Sequence, residues 1–135
     1  MRAMIEIGRH AGNGAIKRKE ITAAQGISHG YLENILIALK SHRLIRTTRG
    51  AHGGFVLEGS PSQVTLLQIV NALEGSLAPV DCIENTEICR KSGACPARVV
   101  WKKLHDAQNA VLSGMTLQDL LDLEIQQTDA FDYVI

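Results

Sequence analysis

GISHGYLENILIALKSHRLIRTTRGAHGGFVL, residues 26–57, decides the fold. Gly26 breaks a short basic helix expected over Ile16–Gln25, whose start carries Lys17, Arg18 and Lys19. Ser28 is a good N-cap for a second helix over Tyr31–His42, where Leu32, Ile35, Leu36 and Leu39 recur at helical spacing. A short helix, a glycine turn and a longer helix form a helix-turn-helix pattern. Leu44–Thr48 and Phe55–Leu57 are β-prone stretches around the Gly-rich, basic turn Arg49–Gly54, which predicts a hairpin. Helix-turn-helix followed by a hairpin is a winged helix.

Working outward, Ala3, Met4, Ile7 and Ala11 have helical spacing, so a first helix is expected over Met1–Ala11 before a Gly12–Gly14 turn. Thr65 caps an amphipathic helix over Leu66–Leu73. Asp81–Cys95 has no periodicity and reads as a loop. Pro96 suits the first turn of a helix, and Ala97, Val100, Leu104, Ala107 and Val111 then recur at spacings of 3 and 4, a seam suited to a second copy. Gly114 stops that helix, and Thr116 caps a last one through about Asp122, with the remainder to Ile135 expected to fray. The expected architecture is mostly α with a small β-hairpin wing. It divides into a winged-helix domain (1–75), a cysteine-bearing loop (76–95), and a dimerisation helix with an acidic tail (96–135).

The chain has 135 residues, of which 45% are hydrophobic and 21% charged, as expected of a globular domain. Aromatics are only 4%, which argues against a base-stacking RNA platform. No apolar run approaches a membrane span and no secretory leader is evident, so a soluble, cytoplasmic protein without a membrane partner is expected. The formal net charge of zero hides a division: residues 1–57 carry nine Lys/Arg against three acids, and residues 58–135 five against eleven. Such segregation suggests a basic working face.

A helix in the major groove reads base edges with its exposed N-terminal residues while cations nearby hold phosphates. Ser28, His29, Tyr31 and Glu33 lie at or near the start of the second helix, off its apolar face. Glu33 can accept from a cytosine amino group, or simply pair with nearby cations. Lys17, Lys19, Lys40 and Arg46 are expected at phosphates. Arg49 at the wing tip suits a narrow minor groove, with Gly50 and His52 beside it. Its alternative is an ordinary exposed turn residue.

All three cysteines lie in one 14-residue stretch, as Cys82-x6-Cys89-x5-Cys95. An odd number so clustered is a ligand loop rather than a disulfide framework. Zinc sites usually pair cysteines two to four residues apart, so the wider gaps favour an iron–sulfur cluster. Zinc, or cluster-free thiols with a redox or structural role, remain as alternatives. A thiol oxidoreductase is disfavoured by the lack of Cys-x-x-Cys and of a Cys–His pair.

The segments GISHGYLENIL, LIRTTRGAHGGFVL, VTLLQIVNALEG and CPARVVW, with the three cysteines, resemble the IscR/NsrR-type family of winged-helix transcription regulators over Met1 to about Glu124. The resemblance implies a homodimer on partly palindromic double-stranded DNA operators. It also implies sensing of iron, redox state or nitric oxide through a 2Fe–2S or 4Fe–4S cluster, which aerobically handled protein can lack. It places Glu33 and Arg49 at base- and minor-groove-contacting positions. Some relatives carry a histidine ligand three residues beyond the third cysteine. Here that residue is Arg98, which has no lone pair to give. His105 lies about 15 Å further along the helix and is expected on its surface. Other relatives use an acidic or histidine ligand from a longer first helix, which opens two or three turns earlier than this one. The remaining fourth-ligand candidates are Asp81, Glu84, Glu87, a small thiol or solvent. A cluster-free regulator acting through thiol oxidation or a partner protein is the alternative function.

Overall fold

The computed structural model describes the backbone of residues 1–132 and the side chains of residues 1–127. The chain runs α1 (Arg2–Arg9), α2 (Arg18–Gln25), α3 (His29–Ser41), β1 (Ile45–Thr48), β2 (Gly54–Leu57), α4 (Leu66–Glu74), α5 (Pro96–Ser113) and α6 (Leu117–Asp132). This is the expected mostly helical winged helix. Helical spacing turns Leu32, Leu36 and Leu39 of α3 inward, into one core with Met4 and Ile7 of α1 and Ile21 of α2, and all six are buried. Ser28 accepts the Tyr31 N–H at 3.3 Å, so α3 opens at His29, two residues before the expected Tyr31.

β1 and β2 pair antiparallel, with Ile45 opposite Leu57 and Thr48 opposite Gly54. The α3–β1 turn holds Arg43 at φ 57°. Ile16 departs from the expected helix. Its N–H donates to the Phe55 carbonyl at 3.0 Å and its carbonyl accepts the Phe55 N–H at 2.8 Å, adding a bridge beside the hairpin. The β-branched side chain is 1% exposed there. A Cβ on Gly54 would lie 2.4 Å from the Ile16 carbonyl oxygen, so only glycine permits this approach.

The last helix also departs from expectation, continuing past Asp122 to Asp132. Leu117 and Leu121 are buried in the winged-helix core, and Arg9 of α1 pairs with Glu124 one turn further on. Packing against α1 thus sustains a helix whose weak composition suggests an early end. The segment before it is stitched to the start of α4: the Leu66 N–H donates to Met115 at 2.9 Å and the Leu117 N–H to Val64 at 2.8 Å. The expected fraying of residues 133–135 lies outside the described residues. No helix among the described residues is long and apolar enough to cross a membrane.

Candidate nucleic-acid interface and cysteine loop

Helices α2 and α3 and the hairpin present the candidate DNA-contacting residues to solvent. Ser28, His29, Tyr31, Glu33 and Lys40 are exposed along α3. Lys17 and Lys19 are exposed at the start of α2, where the Lys17 N–H donates to the Glu20 carboxylate at 2.7 Å. Arg49, Gly50 and His52 are exposed at the wing tip, and Gly50 takes φ 102°, a left-handed conformation suited to glycine. A shallow groove of about 190 Å³ runs between α2, α3 and the wing; Arg18, Glu33, Lys40 and Thr47 contribute its polar lining.

Two of these residues already have partners. Glu33 pairs with Arg18 at 3.5 Å, and Arg46 pairs with Glu58 at 3.5 Å. All four side chains are largely exposed, so these are weak, exchangeable contacts that a base edge or phosphate can displace. Arg18 is a groove residue absent from the sequence-based set. Its signal was the basic run Lys17-Arg18-Lys19, whose facing could not be assigned before the helix start was known.

The cysteine loop consists of three single-turn 3-10 helices, Asp81–Ile83, Thr86–Ile88 and Ser92–Ala94, rather than a featureless coil. Cys89 is exposed, and Cys82 and Cys95 are partly buried; all three are free thiols. Among the described residues, no three His, Cys, Asp or Glu side chains are gathered as a single metal ion needs. The thiols are therefore on one loop without forming a closed mononuclear centre. The Arg98 Nε donates to the Cys82 carbonyl at 2.8 Å, tying the first cysteine to α5. Arg98, three residues beyond the third cysteine, has no lone pair to offer a metal. His105 is not a surface residue as expected. It is partly buried, Nε2 lies 3.0 Å from the Asn109 amide, and it lines a polar cleft with Asn71 and Glu84.

Helix α5 contains no buried residue. Val100, Leu104 and Val111 of the predicted seam are 63%, 45% and 62% exposed, an apolar stripe left uncovered by this chain.

The Rrf2 family model, described as an iron-dependent transcriptional regulator, matches residues 1–123. The chain belongs to the Rrf2 family. It is 32% identical to the HTH-type transcriptional regulator CymR of Bacillus subtilis (strain 168), over 98% of this chain and 91% of that one. It is 30% identical to the HTH-type transcriptional regulator IscR of Sodalis glossinidius (strain morsitans), over 90% and 73% respectively. The solved structure of T. potens IscR superposes with a TM-score of 0.73 at 30% identity, covering 99% of this chain and 84% of that one. As an Rrf2 regulator, the protein is a DNA-binding transcription factor whose relatives are regulators rather than enzymes.

Proposed function

We propose that this Rrf2 regulator binds partly palindromic operators as a homodimer and senses iron–sulfur status, redox state or nitric oxide through the loop 82–95. The observation that carries this reading is connectivity. The loop bearing every thiol runs directly into α5, whose apolar stripe is the surface available to a second copy. A change in the loop can therefore alter the spacing of the two recognition helices. Cys82, Cys89 and Cys95 hold the cluster, which supplies a centre labile to oxygen or nitric oxide. On the DNA side, Glu33 reads a base edge, with Ser28, His29 and Tyr31 beside it at the head of α3. Lys17, Lys19, Lys40 and Arg46 hold phosphates, and Arg49 enters the minor groove with Gly50 and His52 at its flanks.

One observation favours a second reading. Arg98 already occupies the Cys82 carbonyl, giving the loop a tie to α5 that needs no metal. In that reading the free thiols sense oxidation directly. Visible absorption of anaerobically purified protein, with iron and sulfide analysis, separates the two. Iron with matching sulfide, lost in Cys89→Ser, supports the cluster. Neither iron nor sulfide after anaerobic reconstitution overturns it in favour of the thiols, and zinc without sulfide indicates a mononuclear site.

A further inference from the structure

All five Lys and Arg residues of the acidic half, residues 58–135, fall between Arg90 and Lys103, and no Asp or Glu occurs from residue 88 to 105. They lie outside the winged helix, so DNA contact does not account for them. Three of them, Arg98, Lys102 and Lys103, line a concavity of about 650 Å³ at the amino end of α5, together with Ser92, Cys95 and one carboxylate, Asp106.

Several independent features of this concavity favour an anion. Helix α5 opens with no side-chain cap and no acidic residue in its first turn. Pro96 at its first position has no N–H, but the N–H groups of Ala97 and Arg98 lack intrahelical acceptors, and the helix end carries partial positive charge. Ser92 is 5% exposed, yet its hydroxyl has no hydrogen-bond partner. Arg98 uses Nε on the Cys82 carbonyl, which leaves its terminal nitrogens available for an oxyanion. Lys102 is paired with Asp106 at 2.7 Å, whereas Lys103 forms no ion pair among the described residues.

Most of the site lies off the α5 seam proposed for a second helix. At about 100° per residue, Arg98, His105, Asn109 and Leu112 face inward, as their partial burial shows. The seam Ala97, Val100, Leu104, Ala107 and Val111 lies on another side. Lys102 and Asp106 are centred about 160° round the helix from that seam, and Lys103 lies at its edge, about 80° from its centre.

We propose that this concavity is a binding site for a small metabolite bearing at least two negative charges on carboxylate or phosphate oxygens. Arg98 and Lys103 neutralise the charge, the first turn of α5 supplies N–H donors, and the Ser92 hydroxyl gains its missing partner. All of these donors belong to the chain itself and need no metal, so the test is made on full-length, reduced, metal-free protein. It is titrated with inorganic phosphate and with succinate at fixed ionic strength, with chloride as the monovalent reference, and followed by amide NMR.

Saturable shifts confined to residues 92–103 are expected, with the amides of α2 and α3 unmoved. The tighter of the two ions identifies the oxyanion chemistry. Lys103→Gln should weaken binding about tenfold, and Ser92→Ala should weaken it by a smaller factor. Lys103 is exposed, so its replacement leaves the core intact, and an unchanged unfolding midpoint verifies this. No saturable shift with either ion, equal shifts with chloride, shifts centred on the winged helix, or unaltered affinity in Lys103→Gln would each overturn the assignment. Because the titration is read on metal-free protein, failure of the cluster reading would leave its expected outcome unchanged.

Discussion

Glu33 and Arg18 face each other across the groove at 3.5 Å with both side chains about half exposed. An ion pair so placed contributes little to stability, so its value lies in what it can exchange for. Glu33→Ala should leave the unfolding free energy within about 0.5 kcal/mol of the parent. It should nevertheless relax discrimination at one base pair per half-site, and binding to mismatched operators should hold or rise as an anion leaves the DNA face. Equal losses on matched and mismatched duplexes, measured by fluorescence anisotropy, would assign Glu33 a purely structural role. Arg49→Ala should weaken binding most where the flank of the operator is A/T-rich. Asp119 makes a different residue-level case. The Thr116 N–H and hydroxyl donate to its carboxylate at 2.7 and 2.8 Å, and these bonds, the backbone one foremost, hold its pKa below the ordinary value. Folding thus favours the ionised form. The stabilisation is complete above the ordinary carboxylate pKa of about 3.9 and is lost as pH falls through the lower folded value. Asp119→Ala should lower the unfolding midpoint at neutral pH, with the gap from the parent closing in acid. A gap that persists below that range would mean the bonds to Thr116 are not its source.

The elements are joined by a few contacts between residues far apart in sequence. Glu6 is 4% exposed and accepts from Arg9 and, at 2.8 Å, from Gln25, while Arg9 also pairs with Glu124, so α1, α2 and α6 meet at one charge network. Arg9→Ala would leave the Glu6 carboxylate buried with only the Gln25 amide. Because Arg9 itself is half exposed, the expected cost is about 1–2 kcal/mol rather than that of a fully buried pair. Chemical denaturation gives the value, and a loss below about 0.3 kcal/mol would show that solvent replaces the guanidinium without penalty. This network marks the limit of what the sequence makes legible. Helices α3 and α4 announce themselves through Ser28 and Thr65 caps and regular apolar spacing, and the glycines of the wing specify a hairpin. The far end of α6 does not, because its stability comes from Leu121 and Glu124 meeting α1 in space. Ile16 is similarly hidden: a β-branched residue before a basic run fits a helix start equally well until Phe55 supplies its backbone partner. The exposure of the candidate DNA-contacting set was legible because exposure at a helix start follows from the apolar pattern. The tie from Arg98 to the Cys82 carbonyl was not, since a backbone acceptor leaves no trace in residue identity.

At the scale of the molecule, charge and exposed apolar surface are segregated along the chain. The first 57 residues carry an excess of six positive charges, and residues 58–135 an equal excess of negative ones. DNA contact by that basic half releases counterions, so operator affinity should fall by about 10³-fold or more between 50 and 200 mM salt if six phosphates are neutralised. A nearly flat salt profile would contradict the proposed phosphate contacts. The apolar counterpart is α5, an 18-residue helix with no residue buried by its own chain. Val100, Leu104 and Val111 are 63%, 45% and 62% exposed, so a second copy packed along the seam would recover roughly half of the ~1.5–3 kcal/mol that full burial of each side chain is worth. Leu104→Glu tests this without threatening the subunit fold, because Leu104 is already 45% exposed in the chain itself. Two glutamates brought together in an apolar interface gain neither solvation nor a cationic partner. The variant should sediment as a folded monomer with an unchanged helical spectrum. Its affinity for a palindromic operator should fall toward that for an isolated half-site, since the two recognition helices no longer bind as one unit. An undisturbed dimer would move the interface off this seam.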